Sequence, residues 1–534
     1  MNWRRLPALF VLLVGLKAAL ASTAAGTDDL APSDWAKLSG YAKNTWRSFE
    51  ALTFPTGLPA DSLTRTKDGD YQASNLTSPS DIAAYLWSTV AAEDLKIIGP
   101  EEAAERMGRT LTTLVKLERS HGFFYNWYDP RDGSPLKVWP GGGPVRPFLS
   151  SVDNGWLAVS LMIVRNVRPK FRDVADSLLA PMNFGFFYDP YEAKNPVEHP
   201  GLLRGGFYSD NNTYTGYHYG MLNTEARIAS YVAIARNQVP ADHYYRMSRS
   251  RPTRSEPQSI TCRGQVRKYL EVAVDEGYNS YRGLRIVPSW DGSMFEAMMV
   301  SLFIPEAEWG PESWGINHKL YVRASIENAL EDSHLAAWGA SPSSIPTGGY
   351  RVYGVTPLSV DGRDVEAAKE SVMTPHASFL AMQFAPREAL KNAEILADQF
   401  HSYGPHGFAD AVDVRTGRVS ETELSLDQGM IMAAVANALN NAVLQKAFCD
   451  DKVTEALRPL IARERFSSGV EPIAEQSAAP AAPQVTRPNP PRYEASNWET
   501  SGSVPSAPQV WSVKSSRPVF KARRLSGFKV ARLR

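Results

Sequence analysis

The sequence predicts an all-α fold in which helical hairpins are arranged around one axis as an α/α toroid. From about Ser80 to about Ile461, apolar residues recur at spacings of three and four, the period of a helix that buries one face. The sustained alternation typical of strands is scarce in this region. Long loops dense in aromatic residues and glycine separate the helical segments, which favours a helical scaffold that carries functional loops.

Six segments show the helical period most clearly. They are DIAAYLWSTVAAEDL at 81–95, EEAAERMGRTLTTLVKLE at 101–118, NGWLAVSLMIVRNV at 154–167, SIENALEDSHLAAW at 325–338, REALKNAEILADQF at 387–400 and QGMIMAAVANALNNAVLQKAF at 428–448. In a further segment, HYGMLNTEARIASYVAI at 218–234, Asn223 or Thr224 is a natural N-cap. Either cap would place Glu225 in the first turn of a helix, on the same face as apolar residues.

The two ends of the chain differ from this helical region. Residues 1–21 combine a positive start, an apolar stretch and an Ala-Leu-Ala pattern, which predicts a secretory signal peptide and a secreted or periplasmic protein. We expect residues 22–467 to form the catalytic domain and residues 468–511 to form a disordered Pro/Ala-rich linker. Residues 512–534 form a basic tail with no acidic residue, suited either to anionic envelope polymers or lipid, or simply to solvent.

Composition excludes several classes of function. Lys+Arg and Asp+Glu are balanced at 57 each, which gives no indication of nucleic-acid binding. The two cysteines, Cys262 and Cys449, do not predict a disulfide-built fold or a cysteine zinc cluster. The nine histidines include no HExxH pair, so the sequence gives no support for a metal-dependent mechanism, and no cofactor is implied. GxSxG is also absent, which leaves no local signature of a serine hydrolase.

Four carboxylates occupy equivalent positions near predicted helix starts. Asp153 follows Ser150, and Glu296 follows Ser293, both at capping-box spacing. Asp427 comes just after a serine, and Glu225 follows the Asn-Thr pair. Helix capping alone explains any one of these acids. In a toroid, however, the parallel inner helices would bring all four acids to one cavity, where crowding separates their pKa values, as acid/base cleavage of a glycosidic bond requires.

The loops contain the residue types that a sugar site needs. Sugars present flat apolar faces and hydroxyl-rich edges, which aromatic rings, amides and arginines recognise. The candidate substrate-binding residues are Tyr125, Trp127, Asn154, Arg204, Tyr217, His218, Tyr219, Arg227, Trp290 and Trp314. The expected partner is therefore an oligo- or polysaccharide.

Two other functions are compatible with the same residues. His218, between Tyr217 and Tyr219, would supply the base and acid of a uronate lyase. Arg204 and Arg227 would neutralise the uronate carboxylate in that reaction. The other alternative is a non-catalytic glycan-binding or envelope-assembly protein that uses the basic tail as its anchor.

Eight motifs in a fixed order, spanning about Ser78 to Ala434, resemble the glucoamylase-like domain family of bacteria. They are TSPSDIAAYLWSTVAAEDLKII, GFFYNWYD, SSVDNGWLA, LNTEARIASY, SWDGSMFEAMM, TPHASFLAMQFAP, YGPHGFADA and LDQG. The family includes β-1,2-glucan hydrolases and the carboxy-terminal domain of cyclic β-glucan synthases. The resemblance implies an (α/α)6 barrel that acts on glycosidic linkages.

By the same resemblance, Glu225 is the first candidate for the general acid. Glu296, Asp153 and Asp427 are candidates for base, nucleophile or sugar-binding carboxylate. Ala297 and Met430 stand where relatives often have an aromatic residue and a proline. We therefore expect an exported glycoside hydrolase that cleaves a bacterial β-glucan or another envelope polysaccharide. Transglycosylation would differ from this reaction only in the acceptor.

Overall fold

The computed structural model describes residues 30–250, 261–262, 264–360 and 371–471. The predicted signal peptide, the basic tail and residues 472–511 of the predicted linker lie outside the described residues. The predicted start of the linker at residue 468 is corrected, because Ser468 is buried and donates to Asn317 at 2.8 Å. In the described part of the chain, no helix combines the length and apolarity that crossing a membrane requires.

Fifteen α-helices lie within the described residues. They are α1 Pro32–Leu52, α2 Pro79–Asp94, α3 Pro100–Lys116, α4 Ser151–Val167, α5 Arg172–Leu179, α6 Arg227–Ala235, α7 His243–Arg246, α8 Met294–Met298, α9 Glu306–Trp309, α10 Trp314–Glu327, α11 Pro375–Leu380, α12 Pro386–Glu394, α13 Ser425–Leu439, α14 Val443–Phe448 and α15 Asp451–Arg463. The helical scaffold that the apolar period predicts is therefore confirmed.

Short antiparallel strands of two to four residues occupy the loops between the helices. They are β1 Ser62–Arg65, β2 Tyr71–Ala73, β3 Arg119–Ser120, β4 Phe123–Phe124, β5 Phe148–Ser150, β6 Tyr188–Asp189, β7 Leu202–Leu203, β8 Gly206–Tyr208, β9 Thr213–Tyr214, β10 Thr261–Cys262, β11 Val266–Tyr269, β12 Val272–Asp275, β13 Tyr278–Tyr281, β14 Leu284–Ile286, β15 Ser343–Ser344, β16 Tyr350–Arg351, β17 Val372–Met373, β18 Tyr403–Gly404, β19 Gly407–Phe408, β20 Val412–Asp413, β21 Arg418–Val419, β22 Thr422–Leu424 and β23 Gly469–Val470.

These strands form small sheets, the largest with the order β10-β13-β14-β23. The expectation of a purely helical protein is corrected in this respect. Strands this short contain too few residues to show an alternating pattern in the sequence.

Six helices contact one another in chain order and form what we call the six-helix series, α2, α4, α6, α8, α11 and α13. Helix α2 packs on α4, α4 on α6, α8 on α11, α11 on α13, and α13 returns to α2. The remaining step, from α6 to α8, is made by Arg227, which donates to the main-chain oxygens of Glu296 and Ala297 at 3.2 and 3.0 Å.

A second helix covers each member of the six-helix series. Helix α3 packs on α2, α5 on α4, α15 on α6, α10 on α8, α12 on α11 and α1 on α13. This second layer supplies the apolar faces against which the six-helix series is buried.

Small residues allow the closest helix approaches. A Cβ atom on Gly429 of α13 would lie 2.7 Å from the Cβ of Ala84 on α2, and one on Gly155 of α4 would lie 3.0 Å from Ala229 on α6. Next to the first contact, the Trp87 indole donates to the Gly429 carbonyl oxygen at 2.9 Å. These approaches fix the spacing of the helices whose first turns carry the acidic residues.

The structure corrects three predicted helix boundaries. Helix α6 begins at Arg227, so neither Asn223 nor Thr224 is its N-cap. The Asn223 amide instead donates to the Val287 carbonyl at 3.0 Å, and the Thr224 hydroxyl donates to Met221 at 3.2 Å. Glu225 therefore lies in the turn that precedes the helix.

The other two corrections concern segments 325–338 and 428–448. The first segment contains only the end of α10, followed by a π-helical turn at Asn328–Asp332. The second is divided into α13 and α14 because Asn441 and Ala442 adopt positive φ angles of 53° and 56°. A positive φ angle is incompatible with a continuous right-handed helix.

A fully buried ion pair connects α6 with α9. Arg227 makes two hydrogen bonds of 2.8 Å to the carboxylate of Glu306, which also accepts one from Tyr231 at 2.8 Å. Burial by itself would raise the pKa of Glu306, but the charge of Arg227 and its hydrogen bonds lower it to about 2. Glu306 is therefore ionised at neutral pH and depends on Arg227 for compensation.

We predict that Arg227→Met lowers the free energy of unfolding by about 3–5 kcal/mol, because it leaves the Glu306 carboxylate buried without its partner. Urea denaturation followed by circular dichroism measures this change. Arg131→Met, which removes an exposed pair with Asp129, is the control and should have a much smaller effect. Equal stability of the wild type and Arg227→Met would contradict the prediction.

Candidate active site

The larger of two neighbouring cavities has a volume of about 860 Å³ and is lined mainly by apolar and aromatic side chains. It contains six of the residues that the sequence proposed, namely Tyr217, His218, Tyr219, Glu225, Trp290 and Glu296. Further lining comes from residues 196–202 and from the hairpin of β11 and β12. An apolar cleft with a few carboxyl groups has the composition of a ligand site.

Glu225 lies on this cavity with only 5% of its surface exposed. The Trp156 indole on α4 donates a 2.9 Å hydrogen bond to its Oε2 atom. Burial raises the pKa of Glu225 to about 8, and the negative charge of Asp153 contributes, although the Trp156 hydrogen bond opposes the rise. Glu225 is therefore protonated at neutral pH.

Glu296 lines the same cavity from the first turn of α8. Ser293 is the N-cap of this helix and accepts from the Glu296 main-chain N–H at 3.2 Å, as the sequence predicts. The Oε2 atom of Glu296 accepts from the main-chain N–H groups of Trp290 and Asp291 at 2.8 and 3.1 Å. Burial raises the pKa of Glu296 well above its usual range, and the charge of Asp291 raises it further.

The smaller cavity, of about 70 Å³, lies where several helices begin. Its carboxyl groups come from Asp61, Asp81, Asp153 and Asp427. Asp81, Asp153 and Asp427 stand in the first turns of α2, α4 and α13. The predicted convergence of acidic first turns is therefore observed, but the acids are divided between two cavities and do not share one.

Asp153 connects the two cavities electrostatically. Its carboxylate accepts hydrogen bonds from Ser150, the N-cap of α4, and from Ser80 on α2 at 2.8 Å. Its negative charge raises the pKa of Glu225 on one side and that of Asp81 on the other.

The structure adds acidic residues that the sequence interpretation missed. Burial raises the pKa of Asp81 to about 7 and the pKa of Asp61 well above its usual range. Asp81 follows Ser78 at capping-box spacing, and both halves of that box form. The same signal that identified Asp153 would thus have identified Asp81. Asp61 precedes a short strand and has no comparable signal in the sequence.

Asp427 lies at the far side of the smaller cavity, beside two other buried polar residues. Burial raises the pKa of Asp427 to about 7 and lowers the pKa of His376 to about 4. Burial also raises the pKa of the adjacent Asp410 well above its usual range. His376 and Asp410 were not among the predicted site residues, because nothing in the local sequence connects them with Asp427.

His218 and Arg204 both contact one buried carboxylate at the rim of the larger cavity. The Nε2 atom of His218 is 2.7 Å from Oδ2 of Asp189, and the Arg204 guanidinium is 2.8 Å from the same oxygen. The guanidinium also lies 4.7 Å from the centre of the Tyr214 ring. Arg204 is thus paired with Asp189 within the protein.

Three predicted substrate-binding residues are buried and cannot contact a polysaccharide. Asn154 donates to the Phe124 and Ser150 carbonyl oxygens, and Arg227 pairs with Glu306. Trp314 packs 4.7 Å from the Arg227 guanidinium and is fully buried. The substrate-binding role is corrected for these three residues because the helix packing encloses their polar groups.

The two remaining aromatic candidates differ in position. Trp127 lines the smaller cavity. Tyr125 is 9% exposed and lies outside the lining of both cavities, close to Tyr128. Trp127 therefore stays a candidate contact for a bound ligand.

Two stretches of the chain match known protein families. Residues 259–452 match the family described as "Putative glucoamylase", and residues 40–185 match a "Protein of unknown function (DUF3131)". The cyclic β-(1,2)-glucan synthase NdvB of Rhizobium meliloti is 24% identical over 83% of this chain, which corresponds to 19% of the synthase. The resemblance to the glucoamylase-like family that the motifs indicated is confirmed.

Solved structures share the fold at low sequence identity. A "putative glucoamylase" from Bacteroides fragilis is 20% identical, with a TM-score of 0.60 over 80% of this chain and 96% of that one. An endo-β-1,2-glucanase from Chitinophaga pinensis is 18% identical, with a TM-score of 0.58 over 80% and 98%. An endo-β-1,2-glucanase from Talaromyces funiculosus is 12% identical, with a TM-score of 0.59 over 82% and 91%.

We predict that the stability of Glu225→Gln relative to that of the wild type increases as the pH rises from 4.5 to 8. Over this range the unfolded chain has lost the Glu225 proton while the folded chain still holds it, so stability falls with pH. The variant lacks this dependence. Urea unfolding at several pH values measures the difference, with the exposed Glu421→Gln as control. A difference that does not change with pH would contradict the raised pKa.

Proposed function

We propose that this protein is a glycoside hydrolase with Glu225 as its general acid. The observation that carries the proposal is a protonated carboxyl, with a pKa of about 8, on an 860 Å³ apolar cavity and within electrostatic reach of the carboxylate of Asp153. A carboxyl group that can donate a proton, beside a second carboxyl group, is the arrangement that acid/base cleavage of a glycosidic bond requires.

We also infer that the scaffold is an (α/α)6 barrel. The six-helix series, with one covering helix for each member, has the contacts expected of six helical hairpins around an axis. The similarity to glucoamylase-like and endo-β-1,2-glucanase structures supports this inference.

In the proposed reaction, Glu225 donates its proton to the glycosidic oxygen as the bond from that oxygen to the anomeric carbon breaks. Asp153 provides the negative charge, either by accepting a proton from the attacking water or by attacking the anomeric carbon itself. The anomeric configuration of the first product distinguishes the two routes. Glu296, on the same cavity as Glu225, is a candidate for binding a sugar hydroxyl, because its raised pKa does not suit a source of negative charge.

The first substrate to test is β-1,2-glucan. Endo-β-1,2-glucanases are among the proteins of similar fold, and the curated relative is a cyclic β-(1,2)-glucan synthase. The half-buried rings of Tyr217, Tyr219 and Trp290 on the cavity are suited to the apolar faces of sugar rings. Transfer to a sugar hydroxyl in place of water would give transglycosylation with the same acids.

A uronate lyase is less well supported by the contacts at the cavity. His218 faces the carboxylate of Asp189, and Arg204 pairs with that same carboxylate. Burial lowers the pKa of His218, so the ring is neutral at neutral pH. Neither side chain is arranged to hold a substrate carboxylate. A lyase would release an unsaturated product that absorbs in the near ultraviolet.

The proposed function also includes export of the enzyme from the cytoplasm. The signal peptide expected at residues 1–21 would direct the enzyme to the periplasm or the medium, where glycans of the cell envelope are accessible. Contact of the basic tail with anionic envelope material belongs to the same proposal.

We predict that Glu225→Gln reduces the release of reducing ends from β-1,2-glucan by about 100- to 10,000-fold, because general acid catalysis contributes that range. A reducing-end assay on a panel of glycans measures the effect, and circular dichroism confirms the fold. Glu421→Gln is the matched control on the surface and should be as active as the wild type. Unchanged activity in Glu225→Gln would remove Glu225 from the chemistry.

We predict that Trp156→Phe moves the alkaline limb of the pH–activity profile to higher pH. The Trp156 hydrogen bond favours the ionised form of Glu225, so its loss raises the pKa of the acid above about 8. Trp87→Phe is the control, since that indole donates to Gly429 and not to Glu225. A shift to lower pH, or the same shift in both variants, would contradict the assignment.

A further inference from the structure

A second group of potential ligand atoms lies next to the smaller cavity. His376 on α11, Asp410 between β19 and β20, and Asp427 on α13 place one nitrogen and two carboxylate oxygens within 4.8 Å of one another. The three residues are 1%, 2% and 6% exposed. Because they come from three separate segments, no short motif joins them.

The hydrogen bonds around His376 determine which ring nitrogen carries a lone pair. The hydroxyl of Thr374 donates its proton to the Gly339 carbonyl at 3.0 Å, so this oxygen can only accept from Nε2 of His376, which lies 3.4 Å away. A neutral ring with its proton on Nε2 has a lone pair on Nδ1. Nδ1 is the ring nitrogen that lies close to a carboxyl oxygen of the cluster.

A ring nitrogen and carboxyl oxygens face each other in the cluster. Nδ1 of His376 lies 3.1 Å from Oδ2 of Asp427, and neither atom has a hydrogen-bond partner among the described residues. Oδ1 of Asp410 is also without a partner there, while its other oxygen accepts from the Ser344 N–H at 2.6 Å. Buried acceptors in contact are unfavourable unless a positive charge or a donor lies between them.

We propose that His376, Asp410 and Asp427 bind a divalent transition-metal cation. One imidazole nitrogen with two carboxylate oxygens is a donor set for ions such as Zn²⁺, Mn²⁺ or Co²⁺, whereas Mg²⁺ and Ca²⁺ prefer oxygen ligands alone. A separation of 3.1 Å between Nδ1 and Oδ2 suits two adjacent ligands of one ion.

The smaller cavity provides the remaining coordination positions. Asp427 lines this cavity, whose volume of about 70 Å³ is large enough to hold water. Three protein ligands and one or two waters would complete a common coordination number. The site is therefore connected to a water-accessible space although its protein ligands are buried.

This cation site goes beyond the proposed hydrolase activity and does not depend on it. The cation would fix the first turn of α13 to α11 and to the loop at Asp410. It would also assign Asp427 to metal binding, which leaves the acid/base roles to Glu225 and Asp153.

The test is Co²⁺ binding by the full chain after treatment with a chelator. Visible absorption reports nitrogen and oxygen coordination of Co²⁺, and equilibrium dialysis with elemental analysis gives the stoichiometry. We expect one Co²⁺ per wild-type chain. Loss of a direct ligand in His376→Ala should weaken binding by more than the roughly 10- to 100-fold typical of outer-shell partners. His401→Ala, at an exposed histidine, should bind as the wild type does.

His376→Gln and Asp410→Asn are further variants in case His376→Ala does not fold, and circular dichroism reports the fold of each. Weaker Co²⁺ binding in any folded variant of the three supports the site. The proposal is overturned if the wild type binds no Co²⁺, or if all folded variants bind it as the wild type does. A shared proton would then hold the three side chains together. Because dialysis does not require turnover, this outcome is independent of whether the protein cleaves glycans.

Discussion

The guanidinium of Arg227 fixes the positions of Glu225 and Glu296 on the larger cavity. It donates to the main-chain oxygen of Thr224, next to Glu225, and to that of Glu296 itself, at 2.8 and 3.2 Å. Its charge is compensated by Glu306, so the whole arrangement can be buried. One side chain therefore joins α6 to α8 and sets the relative position of two carboxyl groups from distant parts of the chain. Arg227 is a positioning residue for the cavity.

Burial raises the pKa of these carboxyl groups, whereas helix capping alone would lower it. At a helix start, main-chain N–H groups and the helix dipole favour the charged form of an acid. Inside the molecule, desolvation acts in the opposite direction and is the larger effect for Glu225, Glu296 and Asp427. Asp153 is less enclosed and accepts from two hydroxyl groups. The raised pKa values of the buried acids suit proton donation, one of the two roles that acid/base chemistry requires.

The two cavities differ in composition as well as in size. The larger one is mainly apolar, with aromatic rings from loops, while the smaller one is lined by acids from the first turns of helices. Asp153 influences the pKa of residues on both. The helical scaffold therefore supplies most of the acids, and the loops supply the surface on which a sugar chain would lie.

The sequence by itself determined the local features. Apolar periodicity located α2, α3 and α4, and the serine N-caps placed Asp153 and Glu296 in first turns, because periodicity and capping depend on residues within about four positions of each other. The ordered motifs also indicated the family. All of these signals can be read without knowing which segments meet.

Only the tertiary structure decided how distant residues meet. It placed Glu225 before α6, because Asn223 bonds to Val287, 64 residues later in the chain. It buried Arg227 and Trp314, which the sequence predicted to bind substrate. It also brought His376 beside Asp427. It also paired β5 with β8, which lies far along the chain. These outcomes depend on packing between segments far apart in the chain, which local periodicity and composition do not encode.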